Sequence, residues 1–276
     1  MISITSLQNP RLKELIRLQK RPYRDERGLV VVEGYREVKR MLDNGRAPLA
    51  LFFAPEFYQG ANEPEIVRRC AEAGAELFEC SREAFAKVAY RDRPEGLIAL
   101  TRQVRLRLAD LSLPERPLLL VAEAIEKPGN LGSLLRSADA AGVHAVIVCD
   151  RCTDIHNPNV VRSSIGTLFS LPVAEAESEE TLRWLREREI RIVAATPHAE
   201  REYTEVDMTV GIAIVVGTEK FGLSEKWMSA ADERARIPMF GQIDSLNVAA
   251  ATTLLLYEAV RQRRARGLIP ARANRL

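Results

Sequence analysis

Short apolar runs alternate with amphipathic stretches along most of this chain, the pattern of strands followed by helices. Asn9 is a candidate N-cap, Pro10 fits the first helical position, and Leu12, Leu15 and Ile16 repeat at helical spacing. The opposite face carries Arg11, Lys13, Arg17 and Lys20, and Arg21-Pro22-Tyr23-Arg24 reads as a basic turn with one aromatic. Leu29–Val32 predicts a buried strand. Gly34 leads into a helix with Val38, Met41 and Leu42 inward, closed at Asn44-Gly45. Strands at Leu49–Phe53, Ala75–Glu79 and Gly96–Thr101, with helices over Pro64–Ala73 and from the Ser81 cap to Val88, complete a small α/β domain over residues 1–103. Residues 104–116 alternate basic residues with leucines and run into Pro114 and Pro117, which reads as a linker.

Residues 117–276 form the second expected domain. Its strands are Leu118–Val121, Ala145–Cys149, Arg191–Ala195, Ile212–Val216 and Ala235–Ile237. Helices fall at Ser133–Ala141, closed by Gly142, at Pro158–Thr167, capped by Asn157, and at Glu179–Arg188. A long helix, with Ser245 where its N-cap belongs, runs to about Arg264. The pattern predicts a parallel sheet with helices on both faces, and ligands of such sheets sit beyond the carboxyl ends of the strands. No Gly-x-Gly-x-x-Gly follows the first strand, so a dinucleotide-dependent dehydrogenase gains no support.

Charge adds one element. The net charge is only +2, but residues 1–46 carry eleven Lys and Arg against six acids, and Arg261, Arg263, Arg264, Arg266, Arg272 and Arg275 end the chain without an intervening acid. Basic ends on a near-neutral body suit a phosphate-rich partner, and Arg11, Lys13 and Arg24 are candidate contacts to RNA. No apolar window reaches membrane-spanning length and no signal peptide is read, so a cytoplasmic protein without a membrane partner is expected. Cys70, Cys80, Cys149 and Cys152 show no disulfide framework. Cys149 and Cys152 make a single Cys-x-x-Cys, a weak zinc signal on an apolar strand, and no metal is expected.

Three separated stretches carry the chemistry. The first is Glu126-Lys127-Pro128-Gly129-Asn130-Leu131-Gly132-Ser133-Leu134-Leu135-Arg136. The second, Gly217-Thr218-Glu219-Lys220-Phe221-Gly222-Leu223, follows an apolar strand. The third runs from Ile237-Pro238-Met239 to Ser245-Leu246-Asn247. A helix start beside a glycine-containing loop leaves N–H donors free for a polar ligand. Together the three resemble, in order, the motifs of the SpoU (TrmH) branch of the SPOUT RNA methyltransferases: Asn-x-Gly-x-x-x-Arg, Gly-Asn-Glu-x-x-Gly, and Ile-Pro-Met followed by Ser-Leu-Asn. Thr218 departs from the usual asparagine. Val31-Val32-Glu33-Gly34 and the following helix look like the L30e-like RNA-binding domain that precedes many such catalytic domains.

The resemblance implies transfer of a methyl group from S-adenosyl-L-methionine to a ribose 2′-hydroxyl of RNA, and a trefoil knot formed by the segments of the second and third motifs. Carried over motif by motif, Arg136, Glu219, Asn247 and Asn130 are the catalytic candidates, and Thr196, Gly217, Ile237, Met239 and Leu246 the cofactor-binding ones. Glu219 is a candidate partner for Arg136. A guanidinium stays protonated over the working pH range, so Arg136 is expected to grip phosphate and stabilise the alkoxide rather than act as base. Asn157-Pro158-Asn159-Val160-Val161-Arg162-Ser163-Ser164-Ile165-Gly166 also resembles the family and nominates Arg162 as a further RNA contact. Ribosomal RNA is favoured over tRNA as substrate. A base methyltransferase and a non-catalytic RNA-binding or assembly protein are the alternatives. The family is dimeric, and the surplus apolar positions Val248, Leu254, Leu255, Leu256, Tyr257 and Val260 on the last helix predict a two-fold homodimer.

Overall fold

The computed structural model describes residues 1–269. They fall into two compact units, Met1–Val104 with Asp154–Ser170, and Arg105–Thr153 with Leu171 onward.

The first unit opens with β1 (Ile2–Ile4), a short edge strand that the sequence pattern did not announce, and α1 (Pro10–Leu18). Asn9 caps α1 by accepting the Arg11 N–H, and Leu12, Leu15 and Leu18 are its buried stripe. Arg21–Arg27 is not a turn but a helix, α2, closed by Gly28 in the left-handed region. There follow β2 (Leu29–Glu33), α3 (Tyr35–Asp43), β3 (Ala50–Phe53), α4 (Glu63–Glu72), β4 (Glu76–Cys80), α5 (Arg82–Val88) and β5 (Leu97–Arg102). The sheet order is β1-β4-β3-β5-β2. β4 pairs in parallel with β1 and β3, whereas β5 runs antiparallel to β3 and β2. Phe52 and Phe78 stack at 4.7 Å between ring centres in a core that also holds Leu12, Leu15, Phe85 and Ile98.

The second unit is built on β6 (Leu118–Glu123), α6 (Pro128–Ala141) and β7 (Ala145–Cys149). α6 starts five residues before the expected Ser133, because Pro128 can occupy the first turn without losing a hydrogen bond; Asn130 and Gly132 are therefore helical. After β7 the chain passes through Asp154–Ser170, which packs with the first unit and holds α7 (Pro158–Ser163). Asn157 caps α7 as expected, but the helix stops four residues short of Thr167, because Ile165 and Gly166 both adopt positive φ. A side chain at residue 166 would also press on the Glu37 backbone. The remaining elements are β8 (Val173–Ala176), α8 (Ser178–Glu187), β9 (Arg191–Ala195), β10 (Ile212–Val216), α9 (Glu225–Ala230), β11 (Glu233–Ala235) and α10 (Val248–Ala265).

All six strands of this second sheet are parallel, in the order β11-β9-β10-β6-β7-β8. Both faces are covered, so β10 is buried along its whole length. Ala213 and Val215 join one core with Trp184, Leu185 and Trp227 of α8 and α9, while α6 and α10 pack together elsewhere in the unit, α10 also touching β10. Residues 105–116 are not a free tether: Leu106 pairs with Ala174, Leu108 is buried in the core, and Leu111 and Leu113 pack beside it.

Candidate active site

Three loops leave the carboxyl ends of β9, β10 and β11 and enclose a cleft of about 360 Å³. All five cofactor candidates line it: Thr196 after β9, Gly217 after β10, and Ile237, Met239 and Leu246 after β11. The turn after β10 is a tight hairpin in which Thr218 and Gly222 exchange main-chain hydrogen bonds at 3.0 Å. A side chain at 217 would collide with the Gly222 carbonyl, so glycine is required there by the turn itself. Among the described residues, no main-chain N–H from Ile237 to Asn247 has a protein partner. A run of free donors and carbonyls beside Val216, Ile237, Met239, Leu246 and Leu255 gives the cleft apolar walls with polar edges. Asp244 adds an exposed carboxylate at the lining.

Beside the cleft, one side chain from each motif meets the others. The Asn247 amide donates to Glu219 Oε1 at 2.6 Å and to Asn130 Oδ1 at 3.2 Å. Its own carbonyl Oδ1 accepts the Ala249 N–H at 2.9 Å, so Asn247, not Ser245, caps α10. The second Glu219 oxygen takes Lys127, which stands at the start of α6. Lys127 above all, with Asn130 and Asn247, holds the Glu219 carboxyl below its ordinary value, and Glu219 in turn raises Lys127. Lys127 was missed from sequence; its partner is 92 residues away.

The expected Glu219–Arg136 pair does not form. Arg136 lies six residues beyond Asn130, about 9 Å along the α6 axis, and is exposed without a hydrogen bond or ion pair among the described residues. It is not among the residues lining the cleft. Its neighbour Ser137 faces α10, where its hydroxyl lies 2.7 Å from that of Thr253.

Of the RNA candidates, Arg24 is corrected. It is 1% exposed, donates to the Leu18 and Gln19 carbonyls, and pairs with Asp154 at 2.6 Å. Folding Arg21–Arg27 into a helix turns this side chain inward, where no RNA reaches it. Burial alone would raise the Asp154 carboxyl, but hydrogen bonds from His156 and Arg24 outweigh it and hold it well below the usual range. Arg11 is half-exposed, paired with Glu76 at 3.0 Å; Lys13 is exposed; Arg162 is exposed and unpartnered among the described residues. Of the basic tail, Arg263 is buried and donates to the carbonyls of Arg116, Pro117, Met208 and Val210, while Arg272 and Arg275 lie outside the described residues. Cys149 is a core thiol pushed up to about 12 by burial.

A profile of the SpoU rRNA methylase family matches residues 117–257, which contain every one of these cleft and network side chains. The chain belongs to the SpoU rRNA methylase family. A second profile, the MRM3-like substrate-binding domain, matches residues 9–99 of this SpoU methylase. It is 32% identical to the 23S rRNA (guanosine-2′-O-)-methyltransferase RlmB of Pectobacterium atrosepticum over 84% of its own length and 98% of the relative's. A crystal structure described as an RNA 2′-O ribose methyltransferase superposes on it with a TM-score of 0.85 at 42% identity, covering 95% of this chain and 100% of that one. The AdoMet-bound rRNA methyltransferase from Sinorhizobium meliloti does so with a TM-score of 0.86 at 30% identity, covering 95% and 97%. The segment Asp154–Ser170 belongs to the SpoU profile by sequence and to the first unit by packing.

Proposed function

We propose that this SpoU methylase transfers a methyl group from S-adenosyl-L-methionine to a ribose 2′-hydroxyl of ribosomal RNA. One observation carries the reading: the loops after β9, β10 and β11 share a single cleft, and Asn247 ties the second and third motifs to the first at its edge. The residues present fit the cofactor. Free main-chain groups between Ile237 and Asn247 suit the edge of an adenine, Ile237, Met239 and Leu246 its faces, and the Asp244 carboxylate suits an ammonium or a ribose diol. When bound, the cofactor supplies an activated methyl on a sulfonium centre.

The protein's part is to hold the hydroxyl in line and to favour loss of its proton. Glu219, kept ionised by Lys127, and Asn247 fix the cleft edge. Arg136 grips the target phosphate and stabilises the alkoxide as it forms. Since Arg136 is not among the residues lining the cleft of its own chain, it serves the cleft of a second copy in a two-fold homodimer. Exposed Leu254 and Tyr257, 41% and 47% accessible on α10, are the apolar surface that copy covers. The loops after β10 and β11 form the trefoil knot, and Arg11, Lys13 and Arg162 contact the RNA backbone. An rRNA substrate makes the protein cytoplasmic; no helix among the described residues is long and apolar enough to cross a membrane.

Titration calorimetry of the full-length protein with S-adenosylmethionine, together with mapping of ribose methylation in total RNA from cells with and without the gene, tests the reading. Saturable binding and one lost rRNA methylation are expected. Failure to bind the cofactor would leave a non-catalytic RNA-binding protein; loss of a tRNA methylation instead would move the substrate.

A further inference from the structure

Phe221 sits in the hairpin after β10, 74% exposed, and yet it is among the residues lining the cleft. A single exposed apolar side chain is ordinary on a protein surface. Three observations set this one apart. Its main-chain N–H donates to the Thr218 hydroxyl at 2.9 Å, inside a turn that Thr218 and Gly222 already close with main-chain hydrogen bonds, so the turn holds it in place. Thr218, which stands where the motif has asparagine, thus serves as the acceptor that pins Phe221. The Lys220 ammonium lies over the ring, 4.8 Å from its centre, and has no ion pair or hydrogen bond among the described residues. Finally, Phe221 follows closely on Glu219, the carboxylate through which Asn247 and Lys127 fix the cleft edge. The rim of the cleft therefore presents an exposed aromatic plane with a free cation beside it.

We propose that Phe221 is a substrate-positioning residue: an unstacked base of the RNA rests on its ring and an adjoining phosphate takes Lys220; the proposal rests on the RNA methyltransferase reading above. A nucleotide uses both groups at once, its base against the plane and its phosphate against the cation. The two other occupants each leave one of them unused. A second copy of the chain seated on the ring would bury Lys220 without a counter-charge, a cost that subunit interfaces avoid. An adenine of the cofactor has the apolar walls of Ile237, Met239 and Leu246 to enter, and a ring still 74% exposed at the rim adds little to that burial. Every base offers a π-face, so Phe221 sets where the nucleotide sits and not which base it carries.

The test uses the full-length protein and two fluorescein-labelled single-stranded RNAs of about ten nucleotides, one of mixed sequence and one abasic throughout. Phe221→Ala should bind the mixed-sequence strand about tenfold more weakly, the loss typical of one stacked base, and the abasic strand within about twofold of the parent. Lys220→Ala should weaken both strands alike and reduce the salt dependence of binding by about one phosphate contact. Phe221→Trp should keep the affinity, and the mixed-sequence strand should quench its emission while the abasic strand does not; Trp184 and Trp227 are buried and give a constant background. An unaltered affinity for the mixed-sequence strand in Phe221→Ala, an equal loss on both strands, or an unquenched Phe221→Trp would each overturn the proposal. So would a monomer of Phe221→Ala in light scattering, which would give the ring to a second copy, or an equal loss of cofactor affinity in calorimetry, which would give it to the adenine. Parent protein that binds cofactor while RNA affinity ignores Phe221 sinks only this inference, whereas a parent that stacks RNA on Phe221 and binds no cofactor sinks the methyltransferase.

Discussion

Asn247 performs two tasks through opposite ends of one amide, and a substitution series separates them. Its Oδ1 caps α10 and its Nδ2 ties Glu219 and Asn130. Removing an asparagine N-cap costs about 1 kcal/mol. The bond to an ionised carboxylate is worth about 1.5–3 kcal/mol where buried, but Asn247 and Glu219 are exposed, so solvent screening leaves well under 1 kcal/mol for it. Asn247→Ala should therefore destabilise the second unit by about 1–2 kcal/mol, most of it from the cap. Asn247→Ser restores a cap but not the tie, and should lie within about 0.5 kcal/mol of the parent. Function should follow the other end of the amide: both variants lose at least about tenfold in methyl transfer, the order of 1.4 kcal/mol in the barrier. Hydrogen exchange at the Ala249 and Ala251 amides reads the cap locally, and a single-turnover methylation assay reads the tie. Serine restoring full activity, or exchanging as fast as alanine, would refute the division of labour.

Arg136→Ala should lower methyl transfer by roughly 10²–10³-fold, as loss of an oxyanion-stabilising donor does, while calorimetry shows unchanged cofactor affinity. Leu254→Asp, on the exposed face of α10, should give a monomer in light scattering at micromolar concentration, with the same loss of transfer; mixing it with cofactor-site variants should not restore activity. Asp154 has a folded pKa held below its unfolded value of about 3.9, so its contribution to stability is present above that value and is lost as the pH falls toward the folded one. Asp154→Asn leaves Arg24 buried without its counter-charge and should cost about 3 kcal/mol in urea denaturation at pH 7, the gap to the parent narrowing below about pH 4. Arg263→Met removes the donor that four main-chain carbonyls share and should cost about 3 kcal/mol at neutral pH by the same assay.

What the sequence made legible was whatever depends on neighbours. Ile212–Val216, Ala145–Cys149 and Arg191–Ala195 are strands within their predicted bounds, because continuous apolar β-branched runs have few other places to go. Asn9, Ser81 and Asn157 cap the helices they precede for an equally local reason. β8 escaped notice: its Val-Ala-Glu-Ala is four residues long and poor in strand formers. Arg24 was misjudged because an arginine beside other arginines looks the same whether it faces solvent or Asp154, 130 residues on. Ser245 and Asn247 are equally good caps by residue type. The choice between them is made by Glu219, whose carboxylate holds the Asn247 side chain at the helix start.

That choice has a consequence for the cleft. The loop from Ile237 to Leu246 has no main-chain hydrogen bonds of its own among the described residues, so its position rests on its two ends. One end is the β11 strand, paired with β9; the other is the Asn247 cap, anchored through Glu219 to Lys127 and Asn130 at the start of α6. α6 and α10 are joined again at Ser137 and Thr253, one residue from Arg136. The loop that lines the cleft and the helix that carries the candidate arginine are therefore linked through the packed pair α6 and α10, and a ligand that shifts the loop should be felt at α6 through Asn247. Loosening Asn247 should thus weaken cofactor binding and misplace Arg136 together, whereas loosening Thr253 should touch only the second.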